Sequence, residues 1–264
     1  MTKYIIETCV GSAESVRESA KGGADRVELC CSLPEGGCTP SIGEIWKACQ
    51  VPDIQIMVMI RPRGGDFLYS DDEIEIMCKD IDMIKTVKYK IGEGPNGPIE
   101  HGVYGVVFGC LTADGEIDVK AMKKLISHCD GLSVTCHRAF DMCRDPVKGL
   151  EDLIEIGCHR VLSSGQKMNA EEGSSLLKKL VEQAKGRIII MPGCGVDENN
   201  IAKIAKETGA VEFHIVGSHK VASEMKFRNE DVSMGGASAV VLDEFKRTVA
   251  CAEAIKEARE ILGQ

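Results

Sequence analysis

The stretch Gly23-Ala-Asp-Arg-Val-Glu-Leu-Cys30 marks the end of one element and the start of another. A glycine commonly ends a helix because it adopts the left-handed backbone conformation at low cost. The residues that follow alternate between polar and apolar side chains, which is the period of a β-strand. The stretch therefore predicts a helix-to-strand turn of the kind that joins the units of α/β proteins.

Similar turns occur at Gly157-Cys-His-Arg-Val161 and Gly209-Ala-Val211. Around them the chain alternates short β-branched runs with amphipathic helical runs from end to end. The predicted strands span residues 4–9, 26–30, 54–60, 105–109, 133–136, 160–162, 187–190 and 211–214.

The segment between the third and fourth predicted strands shows the helical pattern most clearly. Its apolar residues share one helical face at three- and four-residue spacing: Ile74, Met77, Ile81, Ile84 and Val87. Ser70-Asp-Asp-Glu73 before them fits a capping box. Asp145-Pro146 likewise predicts the start of the fifth helix, because proline is favoured at the first helical position.

Eight strands that alternate with helices predict a (β/α)8 TIM-like barrel, an α/β fold, as a single domain over residues 1–264. Dividing the chain among eight units leaves about 33 residues for each, enough for a strand and a helix. An open doubly wound sheet is disfavoured because no glycine-rich dinucleotide turn follows the first strand.

Two segments depart from the alternation. Residues 89–104 are rich in glycine and proline and predict an inserted loop at the N-terminal end of the barrel. Residues 215–241 follow the eighth strand, so we expect them to form a loop that covers the mouth. The final helix is predicted over residues 244–262.

Composition excludes several classes of protein. The chain is 44% apolar and 28% charged, which is typical of a soluble globular protein and not of a disordered one. A net charge of −9 disfavours a nucleic-acid partner, which normally requires a basic face. The apolar runs are far shorter than the roughly 20 residues of a membrane helix, and the chain does not begin with a secretory signal. We therefore expect no membrane partner and a location in the cytoplasm, with the nucleus as the alternative.

The chain has 13 cysteines and no CxxC motif. An odd, high count without a secretory signal predicts reduced thiols rather than a disulfide framework. Most are expected to be small buried apolar residues.

Strand alternation predicts which residues face the barrel interior, since the outer face packs on helices. The inward residues are Ile5, Glu7 and Cys9 on the first strand, Arg26, Glu28 and Cys30 on the second, and Glu212 and His214 on the eighth. Because these strands are neighbours in a closed barrel, we expect the glutamates to form one layer. Cys9, Cys30 and His214 should then form the next layer, at the C-terminal mouth.

This arrangement has two interpretations. Two thiolates and an imidazole suit a soft ion such as Cu(I), with Cys9, Cys30 and His214 as the metal ligands. Alternatively, the thiols fill space above a layer of paired glutamates and arginines. The residues alone leave both open.

A second set of residues is predicted at the same mouth, where barrels bind phosphate through backbone amides and arginines bind anions. The candidate anion-binding residues are Arg61, Arg63, Arg138, Ser164, Gly193, Gly195 and Arg228. The candidate acid–base groups are His137, Glu7, Glu28 and Glu212. Alternatively, the glycines serve only the turns, and the arginines pair with Glu7, Glu28 and Glu212 without any ligand.

Several longer motifs point to a family. They are Glu7-Thr-Cys9, Gly23-Ala-Asp-Arg-Val-Glu-Leu-Cys30, Glu35-Gly-Gly-Cys-Thr-Pro-Ser41, Ile60-Arg-Pro-Arg-Gly-Gly-Asp-Phe67, Tyr69-Ser-Asp71, His137-Arg-Ala-Phe-Asp141, Leu162-Ser-Ser-Gly165, Met191-Pro-Gly-Cys-Gly195 and Met225-Lys-Phe-Arg-Asn229. Together they resemble the CutC family of copper homeostasis proteins, over about residues 4–235.

The resemblance implies a TIM-like barrel, a cytosolic or nucleo-cytosolic location and assembly into a homo-oligomer, a dimer or a tetramer. It also implies copper handling, with the copper ion as partner and Cu(I) bound by cysteines as in the animal members. The matching positions are Cys9 and Cys30, whereas His214 is added from the barrel geometry.

The sequence departs from the family pattern in three places. Cys31 stands where serine or alanine is usual, and Cys194 stands where glycine or alanine is usual. The loop over residues 92–100 is an insertion. Cys31 is expected to point outward, away from any metal site.

Two functions follow as expectations. The first is a copper homeostasis protein that binds Cu(I) through thiolates at the barrel mouth. The alternative is an enzyme, a hydrolase, lyase or isomerase, acting on a small anionic or phosphorylated substrate in the same mouth. A scaffold that acts through its oligomer surface is weaker, because inward-facing charges contribute nothing to a surface partner.

Overall fold

The computed structural model describes residues 4–95, 97–229, 231–232 and 243–263. In this part of the chain the strands are β1 (Ile5–Val10), β2 (Arg26–Leu29), β3 (Gln55–Met59), β4 (Lys88–Gly94), β5 (Gly97–Gly102), β6 (Gly105–Phe108), β7 (Ser133–Cys136), β8 (Arg160–Ser163), β9 (Ile189–Pro192), β10 (Glu212–Ile215), β11 (Ser218–Ala222) and β12 (Lys246–Ala250). The helices are α1 (Ala13–Lys21), α2 (Ile42–Ala48), α3 (Asp71–Ile84), α4 (Val119–Ser127), α5 (Pro146–Glu155), α6 (Ser174–Ala184), α7 (Ile201–Thr208) and α8 (Ala252–Ile261). Short 3₁₀ helices span Leu33–Glu35 and Arg138–Met142.

Eight parallel strands form one sheet in the order β10-β1-β2-β3-β6-β7-β8-β9. The two end strands lie side by side, since a Cβ at Gly193, just after β9, would lie 3.0 Å from the Cβ of His214 on β10. The sheet is therefore a nearly closed barrel with helices between its strands, which confirms the predicted (β/α)8 fold. Each barrel strand begins and ends within two residues of its predicted bounds.

Local sequence determines where the helices begin. Ser70 and Glu73 form the predicted capping box at the start of α3, which pairs amides that the helix itself leaves free. The Asp145 carboxylate accepts hydrogen bonds from the first turn of α5, and Pro146 occupies the first helical position. The apolar faces of these helices pack on the outward side chains of the barrel strands, such as Val27 and Phe213, in one continuous core.

Residues 89–104 are not the predicted irregular loop. They form an antiparallel hairpin of β4 and β5, paired from Lys88 with Gly102 to Gly94 with Gly97. The apolar residues of β4 alternate with lysines and glycines, which is strand periodicity. The glycines and prolines of this segment are typical of loops, and they conceal the alternation in the sequence.

The segment after β10 also differs from its prediction. β11 begins within the predicted mouth loop and pairs antiparallel with β12. β12 occupies residues predicted as the start of the last helix, so α8 begins at Ala252. Residues 230 and 233–241 of the predicted loop lie outside the described residues.

The described part of the chain contains eight α-helices. None of its helices is both long enough and apolar enough to cross a bilayer.

Candidate functional site

Two arginines and two glutamates form a charge network inside the barrel: Glu7, Arg26, Arg160 and Glu212. Arg26 Nε donates to the Glu7 carboxylate. Its Nη2 donates to Glu212 Oε2 at 2.6 Å. Arg160 Nε donates to the same Glu212 oxygen at 2.7 Å. The four side chains are buried, so their charges are compensated by one another rather than by water.

The network changes how its members ionise. Burial opposes the charge on Glu7, but Arg26 and His214 outweigh it and lower the pKa of Glu7 to about 2. Burial likewise opposes the charge on Arg26, yet Glu7 and Glu212 raise the pKa of its guanidinium above the usual value. The neighbouring groups therefore stabilise the charged forms of both Glu7 and Arg26.

The predicted layers of inward residues are wrong in one respect. Neighbouring strands are staggered, so Glu7 on β1 lies level with His214 on β10 and with Arg26 on β2. Cys9 lies level with Glu28 instead of Cys30. The glutamates consequently do not share one layer, because strands in a closed barrel tilt and shift in register around it.

Above the charge network lies a thiol–carboxyl cluster of Cys9, Glu28 and Cys30. The Sγ atoms of the two cysteines and a carboxylate oxygen of Glu28 all lie within 4.8 Å of one another. Cys30 Sγ is 3.7 Å from Glu28 Oε2, and the other carboxylate oxygen, Oε1, is buried without a hydrogen-bond partner. Two bonds of about 2.3 Å, the length of a zinc–thiolate bond, would span a separation of this size.

The two thiols of this cluster have different chemistry. The hydrogen bond between them and the neighbouring His214 outweigh burial and hold the pKa of Cys9 well below its usual range. The same hydrogen bond and burial raise the pKa of Cys30 well above its usual range. Burial, followed by the charge of Cys9, also raises the pKa of Glu28. The cluster therefore holds two neighbouring thiols whose pKa values are shifted in opposite directions, beside a carboxyl group whose pKa is raised.

His214 lies beside this cluster and hydrogen-bonds both to Cys9 and to Glu7 of the charge network. Its Nδ1 lies 2.8 Å from Glu7 Oε1, and its Nε2 lies 3.9 Å from Glu28 Oε2. Burial opposes its charge, but hydrogen bonds to Cys9 and Glu7 raise the pKa of His214 well above its usual value. The third donor grouped with the two thiols is thus Glu28 rather than the predicted His214.

A cavity of 560 Å³ opens above the cluster at the C-terminal mouth. Cys9, Glu28 and His214 form one part of its wall. Its apolar wall includes Leu33, Met59, Phe67, Leu162, Ile215 and Val216. Ligand pockets of proteins commonly have volumes in this range.

Arg61 and His137 form another part of the wall, and both are 4% exposed. Arg61 donates to the carbonyl oxygens of Glu35, Gly37 and Gly65 at 2.7–2.9 Å, but its Nε is unpartnered. His137 Nδ1 accepts from the Ala139 amide at 3.2 Å, and its Nε2 is also unpartnered. Burial, reinforced by the charge of Arg61, lowers the pKa of His137 to about 3, so its ring is neutral.

The other predicted anion-binding groups mostly bond within the protein. The Ser164 amide and hydroxyl donate to Asp141, and Arg138 Nε donates to the same carboxylate at 2.8 Å. The Gly193 amide donates to the Ser163 carbonyl at 3.0 Å. Arg138 lines the cavity, whereas Ser164, Gly193 and Gly195, all described residues, do not.

The predicted alternative, that these arginines pair with the inward glutamates, is also wrong. Arg63 pairs with Glu73 and Asp66, outside the cavity wall. The guanidinium of Arg228 lies 4.8 Å from the Phe245 ring centroid. Arg26 and Arg160 pair with the inward glutamates instead, because they lie on barrel strands, whereas the other arginines lie on loops or on the 3₁₀ helix Arg138–Met142.

Comparison with known proteins identifies the family. The model of the CutC family matches residues 4–219. The chain belongs to the CutC family. A CutC family protein of Bacteroides thetaiotaomicron is 52% identical over 256 residues, which cover 97% of this chain and 96% of the relative. A human protein named copper homeostasis protein cutC homolog is 47% identical over 234 residues, covering 89% of this chain and 81% of the relative.

A solved structure of a CutC protein agrees with this assignment. The crystal structure of CutC from Streptococcus agalactiae matches with a TM-score of 0.72 at 34% identity, covering 80% of this chain and 97% of that one. An aldolase matches with a TM-score of 0.61 at 13% identity, covering 99% of this chain and 96% of that one. The second similarity concerns the fold alone.

The two unusual cysteines of this CutC family chain lie in different places. Cys31 is exposed, as predicted, and its Sγ lies 3.1 Å from the Thr39 carbonyl oxygen. Cys194 lines the cavity at a φ of 74°, and its Sγ lies 3.1 Å from the Met168 carbonyl oxygen. That φ favours glycine, which gives a physical reason for the glycine expected at position 194.

Sequence reasoning missed two contributors to the interior. Arg160 begins a predicted strand, so the alternation that placed Arg26 inside would also have found it. Phe67 carries no such signal, because it lies in a loop. Its ring centroid is 5.0 Å from both the Arg61 Cζ and the His137 ring centroid, so it contacts two polar groups that follow different strands.

Proposed function

We propose that this chain is a copper homeostasis protein that binds Cu(I) through Cys9 and Cys30 at the barrel mouth. The observation that carries the proposal is the thiol–carboxyl cluster, whose three donor atoms lie within 4.8 Å of one another. Sulfur donors select soft ions such as Cu(I) over hard ones. The names of the human and Streptococcus agalactiae relatives support the same function.

The chemistry of the cluster fits a cargo ion. Cys9 lies on the cavity wall, so an ion can reach it from the mouth. Glu28 provides a carboxyl group beside both thiols, and its Oε1 is buried without a partner, as expected of a potential ligand atom. His214 contacts Cys9 and is held by Glu7, so we assign it to positioning of the thiolate rather than to the metal.

Anaerobic titration with Cu(I) in competition with a chromogenic chelator tests this proposal. Cys9→Ser and Cys30→Ser should each abolish tight binding. Cys31→Ser is the matched control, because this thiol is adjacent in sequence but exposed. Unchanged affinity in both cluster variants would contradict the proposal.

The second candidate is an enzyme, a hydrolase, lyase or isomerase, that acts on a small anionic or phosphorylated substrate. The observation that favours it is the 560 Å³ cavity, which is far larger than a copper ion needs. Under this function, His137→Ala and Arg61→Ala should lose the copper-tolerance phenotype in cells while Cu(I) affinity stays intact. Variants that retain the full phenotype would contradict it.

We also infer a homo-oligomer, a dimer or a tetramer. Apolar side chains of α2 and of the β4–β5 hairpin are exposed: Ile42, Trp46, Tyr89, Ile91 and Ile99. Trp46 and Tyr89 contact each other across these elements, with ring centroids 6.1 Å apart. Monomeric proteins seldom expose large contiguous apolar patches. Sedimentation equilibrium tests this assembly, and a mass of 28.6 kDa would contradict it.

The location that we propose is the cytoplasm, with the nucleus as an alternative. Fluorescence imaging of the tagged chain in cells tests it. A signal confined to the cell surface or the medium would contradict it.

A further inference from the structure

Arg61 is a buried charge that lacks a counter-ion among the described residues. Its hydrogen-bond acceptors are three backbone carbonyls, and no carboxylate of the described residues lies within 4.0 Å of its nitrogens. Glu35 is one of these acceptors, but only through its backbone carbonyl. Its carboxylate oxygen Oε2 instead lies 4.0 Å from Cys38 Sγ. A buried guanidinium is costly unless it is paired, so this position is suited to an anion from outside the protein.

His137 supplies a second donor at the same place. Its Nδ1 accepts a hydrogen bond, so the neutral ring carries its proton on Nε2, which is buried without a partner. Arg61 Nε is buried without a partner as well. Both side chains contact the Phe67 ring and line the same cavity. Unsatisfied buried donors are rare in proteins and require an explanation.

We infer that Arg61 Nε and His137 Nε2 together bind the carboxylate of a small organic acid in the barrel-mouth cavity. Two single donors match the two oxygens of a carboxylate. The remaining wall is largely apolar, so we assign the body of the ligand to an apolar chain that extends among Leu33, Met59 and Leu162.

A phosphate group fits this cavity less well. At the barrel mouth the Gly193 amide, after β9, donates to the Ser163 carbonyl, and the Ser164 and Gln166 amides donate to Asp141. The Asp141 carboxylate thus lies where an external anion would otherwise bind these amides. This inference deepens the second proposed function by naming a substrate class, and it does not depend on copper.

The test measures binding of acetate, butyrate and hexanoate to the metal-free protein by calorimetry. Affinity should rise about fourfold for each added methylene, the effect of burying one CH₂ group. Hexanamide, which keeps the shape but lacks the charge, should bind at least about tenfold more weakly than hexanoate, since hydrogen bonds to charged groups are the stronger ones. This comparison needs no variant, so it holds even if a variant fails to fold.

His137→Asn is the matching variant, because asparagine can still accept the Ala139 amide but does not reach the cavity as the imidazole does. It should weaken hexanoate binding about tenfold or more and leave Cu(I) affinity unchanged. His159→Asn is the control, since His159 also accepts a backbone amide, from Val134, but does not line the cavity.

Three results with the acid series and the variant would overturn the inference. They are no binding by any acid of the series, equal binding of hexanoate and hexanamide, and unchanged hexanoate affinity in His137→Asn. Tight binding of inorganic phosphate alone would also overturn it while leaving the second proposed function intact. Loss of Cu(I) binding in Cys9→Ser with hexanoate binding retained would separate this site from the copper site.

Discussion

Two regions of the barrel interior differ in how completely their polar groups are paired. In the charge network each arginine forms an ion pair with a glutamate, so the buried charges are compensated within the protein. Around Arg61 and His137, groups that are equally buried have donors without partners. Unpaired buried polar groups reduce stability, so a fold keeps them where they bind something. The first region stabilises the barrel, and the second is suited to a ligand.

The largest expected effect comes from the paired region. Arg26→Met removes the buried guanidinium that Glu7 and Glu212 share, so it should lower the free energy of unfolding by about 3–5 kcal/mol. Urea denaturation at neutral pH measures it. Arg187→Met is the control, because Arg187 pairs with Glu151 at the exposed surface and should contribute less than about 1 kcal/mol. Equal losses in both variants would remove the distinction between buried and exposed pairs.

The second prediction concerns pH and the unpaired region. The pKa of His137 is about 3 in the folded protein, against an ordinary value of 6.5. Below pH 6.5 the unfolded chain therefore gains a proton that the folded chain does not, and stability falls as the pH approaches 3. Between about pH 7.5 and about pH 4.5, the wild type should lose about 2–3 kcal/mol more than His137→Asn. Parallel pH profiles of the two proteins would show that His137 is not buried as a neutral ring.

A third prediction tests the packing between β9 and β10, beside the charge network. A Cβ at Gly193 would lie 2.4 Å from Leu162 Cδ1 and 3.0 Å from the Cβ of His214. Gly193→Ala should therefore destabilise the protein by about 1–3 kcal/mol through overpacking. Gly43→Ala, in α2, is the control, since its nearest neighbour is Ser41 Oγ at 4.0 Å. A neutral effect at position 193 would mean that this part of the barrel adjusts freely.

The smallest effect is expected at Cys194, on the cavity wall. Its φ of 74° is unfavourable for any residue with a Cβ, so Cys194→Gly should stabilise the protein by about 0.5–1 kcal/mol. Thermal unfolding measures the change, and Cu(I) affinity should stay the same. A loss of stability would mean that the contact of its thiol with the Met168 carbonyl outweighs the backbone strain.

Most of the barrel could be predicted from sequence because its signals are local. Alternation along each strand and capping at helix starts were sufficient to find the eight barrel strands and the start of α3. The hairpin of residues 88–102 was missed, since its glycines and prolines concealed a weak alternation. β12 was missed because its partner strand is more than twenty residues away in the chain.

The site was predicted less completely, since its geometry depends on relations between strands. Alternation placed Glu7, Arg26, Glu28 and Glu212 inside the barrel, where the structure has them buried. It did not predict the stagger between strands, which brings Glu28 rather than His214 into the group with the two thiols. Loop residues such as Arg61 and Asp141 have partners that are distant in sequence and that no local pattern indicates.

The pairing of β11 with β12 has a consequence for engineering. Because Ser218 pairs with Ala250 and Ala222 pairs with Lys246, the two ends of the intervening segment are fixed next to each other. Ser218 and Thr248, on these same strands, also line the cavity. A fluorescent protein inserted between Ala222 and Lys246 would therefore be connected to the barrel through these two paired strands. Comparing the emission of this chimera with and without a ligand in the mouth would test whether occupancy is transmitted along the two strands.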